Sequence, residues 1–404
     1  MKWVLNQMPK SEDRSLAVMA LENVERARCF HESFPQYQVT PLESLGKMAD
    51  YLGLGGIYVK DESYRFGLNA FKVLGGSFAM ARYIAEEMGK DISAMNFDDL
   101  TSEAFLLDFG RATFFTATDG NHGRGVAWAA KRLGQRAVVY MPKGSSRLRF
   151  DHIEREGAKV SIEEGNYDAC VRLAAEEAAK TEHGVLLQDT AWEGYEKIPS
   201  WIMQGYGTMV WEAQEQLRDR GICRPTHVFV QAGVGSMAAS VVGYFVHRFP
   251  VNPPRFIVME AESAACLYQG AKVGTGERRI CTGDLSTVMA GLSCGEPSTI
   301  GWDILRNHAD AFVACPDALS ARGMRMLAAP LPLDPVVKSG ESGAVGMGVL
   351  SVIMQREEYR PLREALNLGR DSQVLLFSTE GDTDPESYRR IVWDGECPSL
   401  PGDC

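Results

Sequence analysis

The sequence has no run of 18 or more apolar residues, so no segment reads as a bilayer-spanning helix. None of its nine cysteines forms a Cys-x-x-Cys pair, which excludes a zinc ribbon and a thioredoxin-like motif, and no metal site is expected. Basic charge is not in excess: 42 lysines and arginines against 53 aspartates and glutamates give a net charge of −11. A general binder of nucleic acid or of an anionic membrane needs a basic surface, so neither partner is expected. The opening stretch Met1-Lys-Trp-Val-Leu-Asn-Gln-Met-Pro-Lys10 is too short an apolar run for a signal peptide. There is no repeat period, no low-complexity tract and no Pro- or Ser-rich linker, so any lobes are expected to be tightly connected. Scattered cysteines in odd number read as reduced thiols of a cytoplasmic protein.

What is present is ordinary in bulk and unusual in one detail. The 404 residues suit two or three lobes at roughly 100–200 residues each. Apolar residues make up 45 % and charged residues 24 %, the balance of a globular chain with a real core. The forty glycines are the informative count, because many are clustered.

From about residue 110 to residue 260, short β-branched runs alternate with helical patterns. Thr113–Ala117, Gln135–Met141, Lys159–Ile162, Val185–Gln188, His227–Gln231 and Arg255–Glu260 read as strands, as does Val374–Phe377 near the end. Helices are predicted over His122–Leu133, around Ser145–Glu156, and over Asn166–Lys180, Met209–Arg218 and Met237–His247. Such alternation predicts an α/β fold of largely parallel sheet with helices on both faces.

Four glycine-rich turns follow or flank these strands: Thr116–Gly123, Gln231–Ser236, Ala290–Glu296 and Ser378–Asp384. The second is physically the most explicit. Gly233-Val-Gly-Ser236 sits between a strand and a helix, where backbone N–H groups at the helix N-terminus suit a phosphate dianion. The looser Gly-x-Gly-x-x-Ala form, with Ala238, also admits a dinucleotide site, and a plain turn is the third option.

Lys72 lies in an apolar, glycine-rich stretch, Asn69-Ala-Phe-Lys-Val-Leu-Gly-Gly-Ser77, at a helix start. Burial there favours a neutral amine, which can form a Schiff base. Lys60 is its rival, but the adjacent Asp61 and Glu62 suit an ion-pair role.

Together these segments resemble a family. Asn69–Lys72, Thr118–Gly123, Gly233–Ser236 and Ser378–Gly381 occur in the order and spacing of the fold-type II pyridoxal-phosphate enzymes, the group of tryptophan synthase β. Gln188–Tyr195, Gln204–Thr208, Ala290–Pro297 and Ser378–Asp384 resemble the diaminopropionate ammonia-lyases in particular. The likeness spans about residues 37–385. It implies two open, twisted, mostly parallel sheets flanked by helices, with the cofactor between the lobes. Residues 1–63 plus 204–404 would form a large cofactor-binding domain and residues 64–203 a small domain carrying the Schiff-base lysine.

The resemblance also implies roles. Lys72 holds pyridoxal 5′-phosphate; Gly233, Val234, Gly235 and Ser236 bind its phosphate. Asn121 bonds the ring 3′-oxygen, and Ser378, or Thr379 if the register slips, faces the pyridine nitrogen. Thr118 contacts the substrate carboxylate. Asp119 and Asp189 set carboxylates beside the second amine of the substrate, and either could move a proton. In the family Asp119 matches the base for D substrates and Lys72 the base for L substrates. The expected reaction converts 2,3-diaminopropionate to pyruvate and two ammonia molecules in a homodimer, with serine/threonine dehydration on the same fold as the alternative. Plainer readings stand beside some of these: a helix N-cap for Asp119, a strand-end turn for Asp189, core packing for Trp192 and Tyr195, and packing or capping for His122. Glu341 reads as a helix-start carboxylate, and Cys266 and Cys294 as a pair able to approach each other, reduced in the cytoplasm.

Overall fold

Apolar, β-branched runs form buried strands in a computed structural model that describes residues 1–118 and 120–398. In chain order these are β1 (Lys2–Leu5), β2 (Leu42–Ser44), β3 (Gly56–Asp61), β4 (Thr113–Ala117), β5 (Arg136–Met141), β6 (Lys159–Ile162), β7 (Gly184–Leu186), β8 (His227–Gln231), β9 (Arg255–Ala261), β10 (Ala311–Cys315) and β11 (Gln373–Ser378). They make a seven-stranded sheet in the order β1-β10-β9-β8-β11-β3-β2 and a four-stranded sheet in the order β6-β5-β4-β7. The smaller sheet is parallel throughout, and the larger is antiparallel only at its two edges. Every residue of β3, β4, β8 and β10 is buried, as strands covered on both faces must be.

The chain clusters into two compact units, one of residues 1–17, 39–64 and 209–404, the other of residues 18–38 and 65–208. Residues 18–38, assigned above to the large domain, fall with the second unit. The helix Leu21–Glu32 supplies the reason. His31, fully buried on it, pairs Nδ1 with Thr208 Oγ1 at 2.8 Å and Nε2 with the Leu74 carbonyl at 3.0 Å.

Three of the four glycine turns leave the C-terminal ends of parallel strands β4, β8 and β11, where ligands of such sheets bind. The third turn follows no strand; it is a single 3-10 turn, Ala290–Leu292, and its continuation. One helix is much longer than its pattern predicts: Lys197–Asp219 rather than Met209–Arg218. Gly205 and Gly207 mask its first half, since glycine is a poor helix former. Gly205 is there for contact: a Cβ on it would lie 2.4 Å from the Leu74 carbonyl oxygen. Strand β3 is masked in a similar way by Lys60 and Asp61, charged residues in a fully buried run.

Lys60 is committed to a buried ion pair. Its Nζ bonds Glu212 Oε2 at 2.7 Å, the Thr40 carbonyl at 2.7 Å and Gln216 Oε1 at 2.9 Å, and the pair is 0 % and 1 % exposed. The ion-pair role holds, with Glu212 on the long helix as a partner. Glu62 accepts from Thr40 Oγ1 at 2.6 Å. No described helix is long and apolar enough to cross a membrane. None of the eight described cysteines is in a disulfide; Cys266 Sγ lies 3.9 Å from the Cys294 carbonyl oxygen. Glu341 does open a helix, Glu341–Gln355, and its Oε1 accepts from Ser387 Oγ at 2.6 Å.

Breaking a buried ion pair leaves an uncompensated charge, which costs more than the pair contributes. Lys60→Met is therefore expected to destabilise the chain by about 3–5 kcal/mol. Lys60→Met with Glu212→Leu should recover most of that loss, as read by denaturant unfolding.

Candidate active site

Lys72 is the N-cap residue of the helix Val73–Glu87, at the end of a tight approach in which Phe66 and Asn69 take left-handed backbone angles (φ 50° and 61°). Phe66 is held by rings, with its centroid 5.0 Å from Trp128 and 5.5 Å from Phe34. The backbone at Lys72 is also gripped by the helix Asn121–Arg132, where a Cβ on Gly125 would fall 2.8 Å from the Val73 nitrogen. These contacts fix where the lysine emerges.

Its Nζ donates to Asp189 Oδ2, and both groups are mostly buried, at 20 % and 6 % side-chain exposure. Asp189 follows β7 in a turn whose position is set by Tyr195. The Tyr195 hydroxyl accepts from the Gln188 N–H at 2.9 Å and donates to the Leu186 carbonyl at 2.9 Å. Trp192 stacks on Tyr195 with centroids 4.4 Å apart, so both aromatics serve the turn. Burial by itself pushes the Asp189 carboxyl up, but the Lys72 ammonium, with help from His122, brings it down to about 2. Asp189 is thus a permanent carboxylate beside the lysine, not a plain turn residue.

Two further groups stand around this pair. The Tyr206 hydroxyl lies 3.5 Å from Asp189 Oδ2, and the Lys72 Nζ is 5.7 Å from the Tyr206 ring centroid and 5.6 Å from that of Phe71. His122 is buried and its Nε2 is 3.0 Å from the Leu187 carbonyl oxygen. The motif around Tyr206 was visible in sequence but carried no assigned role; only the folded contact with Asp189 gives it one.

The loop before the helix Asn121–Arg132 is organised by Thr118. Its Oγ1 accepts from the Gly120 N–H at 2.9 Å and the Gly123 N–H at 3.1 Å. Thr118 thus satisfies an N–H in the first turn of the helix; Asp119, read above as a base, a charge partner or a helix cap, lies outside the described residues. Asn121 opens the helix and is half-buried.

In the other unit, β8 ends in the turn that feeds the helix Ser236–Arg248. Gly235, its N-cap, has φ 96°, a left-handed angle that glycine adopts freely. A Cβ on Gly233 would approach the Gly291 carbonyl oxygen to 3.1 Å, so the third glycine turn lies directly against the second. Ser378 ends β11, fully buried, with its hydroxyl 2.9 Å from that of Ser339. The Thr379 oxygen accepts from Gln231 Nε2 at 3.0 Å.

Among the described residues, three buried polar atoms with no partner lie in or beside these turns: His122 Nδ1 in the first, and, in the other unit, Gln231 Oε1 beside the second and Ser342 Oγ facing Gly291 of the third. The mostly buried lysine of one unit is the kind of amine that captures an aldehyde, and the glycine-shaped helix N-terminus of the other is the kind of site that takes a phosphate.

The comparisons with known proteins agree with that chemistry. The model of the pyridoxal-phosphate dependent enzyme family matches residues 34–360. The diaminopropionate ammonia-lyase of Salmonella typhimurium is 52 % identical over 367 residues, 91 % of each chain. That of Escherichia coli strain K12 is 49 % identical over 377 residues, 93 % of this chain and 92 % of the relative. The crystal structure of the E. coli enzyme with an aminoacrylate–PLP azomethine reaction intermediate superposes with a TM-score of 0.88, at 45 % identity over 98 % of both chains. The chain belongs to the diaminopropionate ammonia-lyase family. It has the fold-type II architecture of that family, two mostly parallel sheets flanked by helices, and pyridoxal phosphate is its cofactor.

In a diaminopropionate ammonia-lyase the pairing of Lys72 with Asp189 has a measurable consequence before any cofactor is added. A carboxyl held at about 2 instead of its ordinary 3.8 stabilises the fold at every pH above about 4. That contribution is lost as pH falls through about 2. Asp189→Asn should therefore cost the cofactor-free chain about 2 kcal/mol at pH 7. In denaturant unfolding, the gap between parent and variant should close progressively below pH 4.

Proposed function

We propose that this chain catalyses α,β-elimination of 2,3-diaminopropionate, yielding pyruvate and two molecules of ammonia. The observation that carries the reading is the buried pairing of Lys72 with Asp189. It sets an amine of the kind that captures an aldehyde beside a carboxylate that calls for a cation. Pyridoxal phosphate, when bound, supplies an electrophilic aldehyde and a ring that stabilises negative charge at the substrate α-carbon.

Each residue then has a defined task. Lys72 carries the cofactor and, once its nitrogen is released, takes the α-proton of the L substrate. Asp119 takes that of the D substrate. Asp189 receives the second ammonium group. Thr118, whose oxygen already accepts two backbone N–H groups, turns its O–H to the substrate carboxylate. Asn121 bonds the ring oxygen, and Gly233, Val234, Gly235 and Ser236 hold the phosphate at the start of the helix Ser236–Arg248. Ser378 would meet the ring nitrogen with a hydroxyl rather than a carboxylate, a partner that would leave that nitrogen largely unprotonated and favour prompt departure of the β-amine. A cytoplasmic homodimer completes the proposal; eight described cysteines outside any disulfide suit a reducing compartment.

The purified protein should show the visible absorbance of a lysine-bound cofactor, bleached by borohydride, and Lys72→Ala should abolish the covalent attachment. Pyruvate should appear from diaminopropionate, assayed separately as D and L forms. Asp119→Asn should slow the D form by about 10²- to 10⁴-fold and leave the L form within about tenfold. Release of no pyruvate from either form would overturn the reading.

A further inference from the structure

The imidazole of His122 is only half used. A carbonyl oxygen accepts and never donates, so the 3.0 Å contact with Leu187 places the ring proton on Nε2. Nδ1 is then a lone-pair acceptor. It is buried in a residue 6 % exposed and has no donor. Burial also lowers the ring's affinity for a second proton, so the acceptor persists at neutral pH. The Leu187 contact seats the ring beside the turn that carries Asp189, close enough to feel the charges of both Asp189 and Lys72.

An unmet lone pair and a buried carboxylate in one neighbourhood can be met together by a cation bearing several N–H groups. In this structure the Lys72 ammonium bonds Asp189 and leaves Nδ1 unmet. Once the lysine nitrogen is committed to the cofactor, that ammonium is no longer held by Asp189 and the imidazole still lacks a donor. An ammonium group carries several N–H bonds and can satisfy both. A hydroxyl has one O–H and no charge, and can satisfy only one.

We infer that His122 is a specificity-determining residue whose Nδ1 accepts a hydrogen bond from the second ammonium group of the substrate, alongside Asp189. The inference rests on the diaminopropionate reading above.

The test uses the holoenzyme and two unreactive probes, 2,4-diaminobutyrate and its amine-lacking counterpart 2-aminobutyrate. In His122→Gln the side-chain amide can still donate to the Leu187 carbonyl, but the ring lone pair is gone. The variant should raise the inhibition constant of 2,4-diaminobutyrate by about 10- to 100-fold, with a matching fall in kcat/KM for diaminopropionate. The constant for 2-aminobutyrate should stay within about threefold, a split that a merely structural role would not produce. A second measurement needs no variant. In wild-type enzyme labelled with ¹⁵N-histidine, 2,4-diaminobutyrate should move the His122 Nδ1 resonance upfield and 2-aminobutyrate should not. Equal weakening of both probes, or an Nδ1 signal indifferent to the diamine, overturns the inference while leaving the proposed reaction intact if wild type still releases pyruvate. Wild-type enzyme that releases none overturns the reaction itself.

Discussion

A carboxylate buried beside a lysine is the constraint from which the rest of the second unit follows. Taking Asp189 out of water is costly, and Lys72 is the group that offsets it. For the two to meet, the start of the helix Val73–Glu87 must be held at one depth, and the turn after β7 at another. Backbone contacts too close for any side chain achieve the first, at Gly125 and Gly205. The Tyr195 hydroxyl, bonding the Leu186 carbonyl and the Gln188 N–H just ahead of Asp189, achieves the second. The glycines and aromatics are thus not decoration around a site; they set the distance over which its two charges act.

The larger unit solves a different problem with similar means. An anion needs exposed N–H groups at the end of a strand, and Gly235 bends the chain so that the helix Ser236–Arg248 begins there. The helix Glu341–Gln355 is buried along nearly its whole length, as a helix apolar all round must be. Its first turn is tied to the fourth glycine turn, where the Ser342 N–H donates to Glu380 Oε1 at 3.2 Å. Ser378 and Ser339 meet in the same place. The residues assigned to the ring nitrogen and the phosphate are therefore mounted on elements packed deep in one core.

Much of this was readable from the chain alone, and the exceptions have physical causes. Strands such as β4 and β8 announce themselves because burial on both faces demands apolar residues throughout. β3 does not, because a lysine sits in it with its charge met by Glu212, 152 positions away in sequence. The long helix Lys197–Asp219 is hidden by glycines selected for close approach rather than for helix propensity. Lys72 could be singled out from its apolar neighbourhood. Its counter-ion could not, because a pairing between residues 72 and 189 leaves no local trace. His122 and Tyr206 share that fate: a buried ring reads as packing until the atoms around it are known.

The charge state of Asp189 narrows what it can contribute. A carboxylate held at about 2 is a weak base and carries no proton to give at neutral pH, which is why the proposed reaction assigns proton movement to Lys72 and Asp119 rather than to Asp189. Burial is nevertheless the largest influence on Asp189, and it pushes the other way. The cation beside the carboxylate is the chief influence that holds it low. On the proposed reading, committing the Lys72 nitrogen to a cofactor takes that ammonium away from Asp189. A substrate with a second ammonium group restores the balance as it binds; serine or threonine, with a neutral hydroxyl at the same carbon, cannot. Selectivity for a diamine then needs no shape complementarity beyond the ordinary. On the proposed reading it follows from burying one acid and letting Lys72 hold its counter-charge until the substrate arrives.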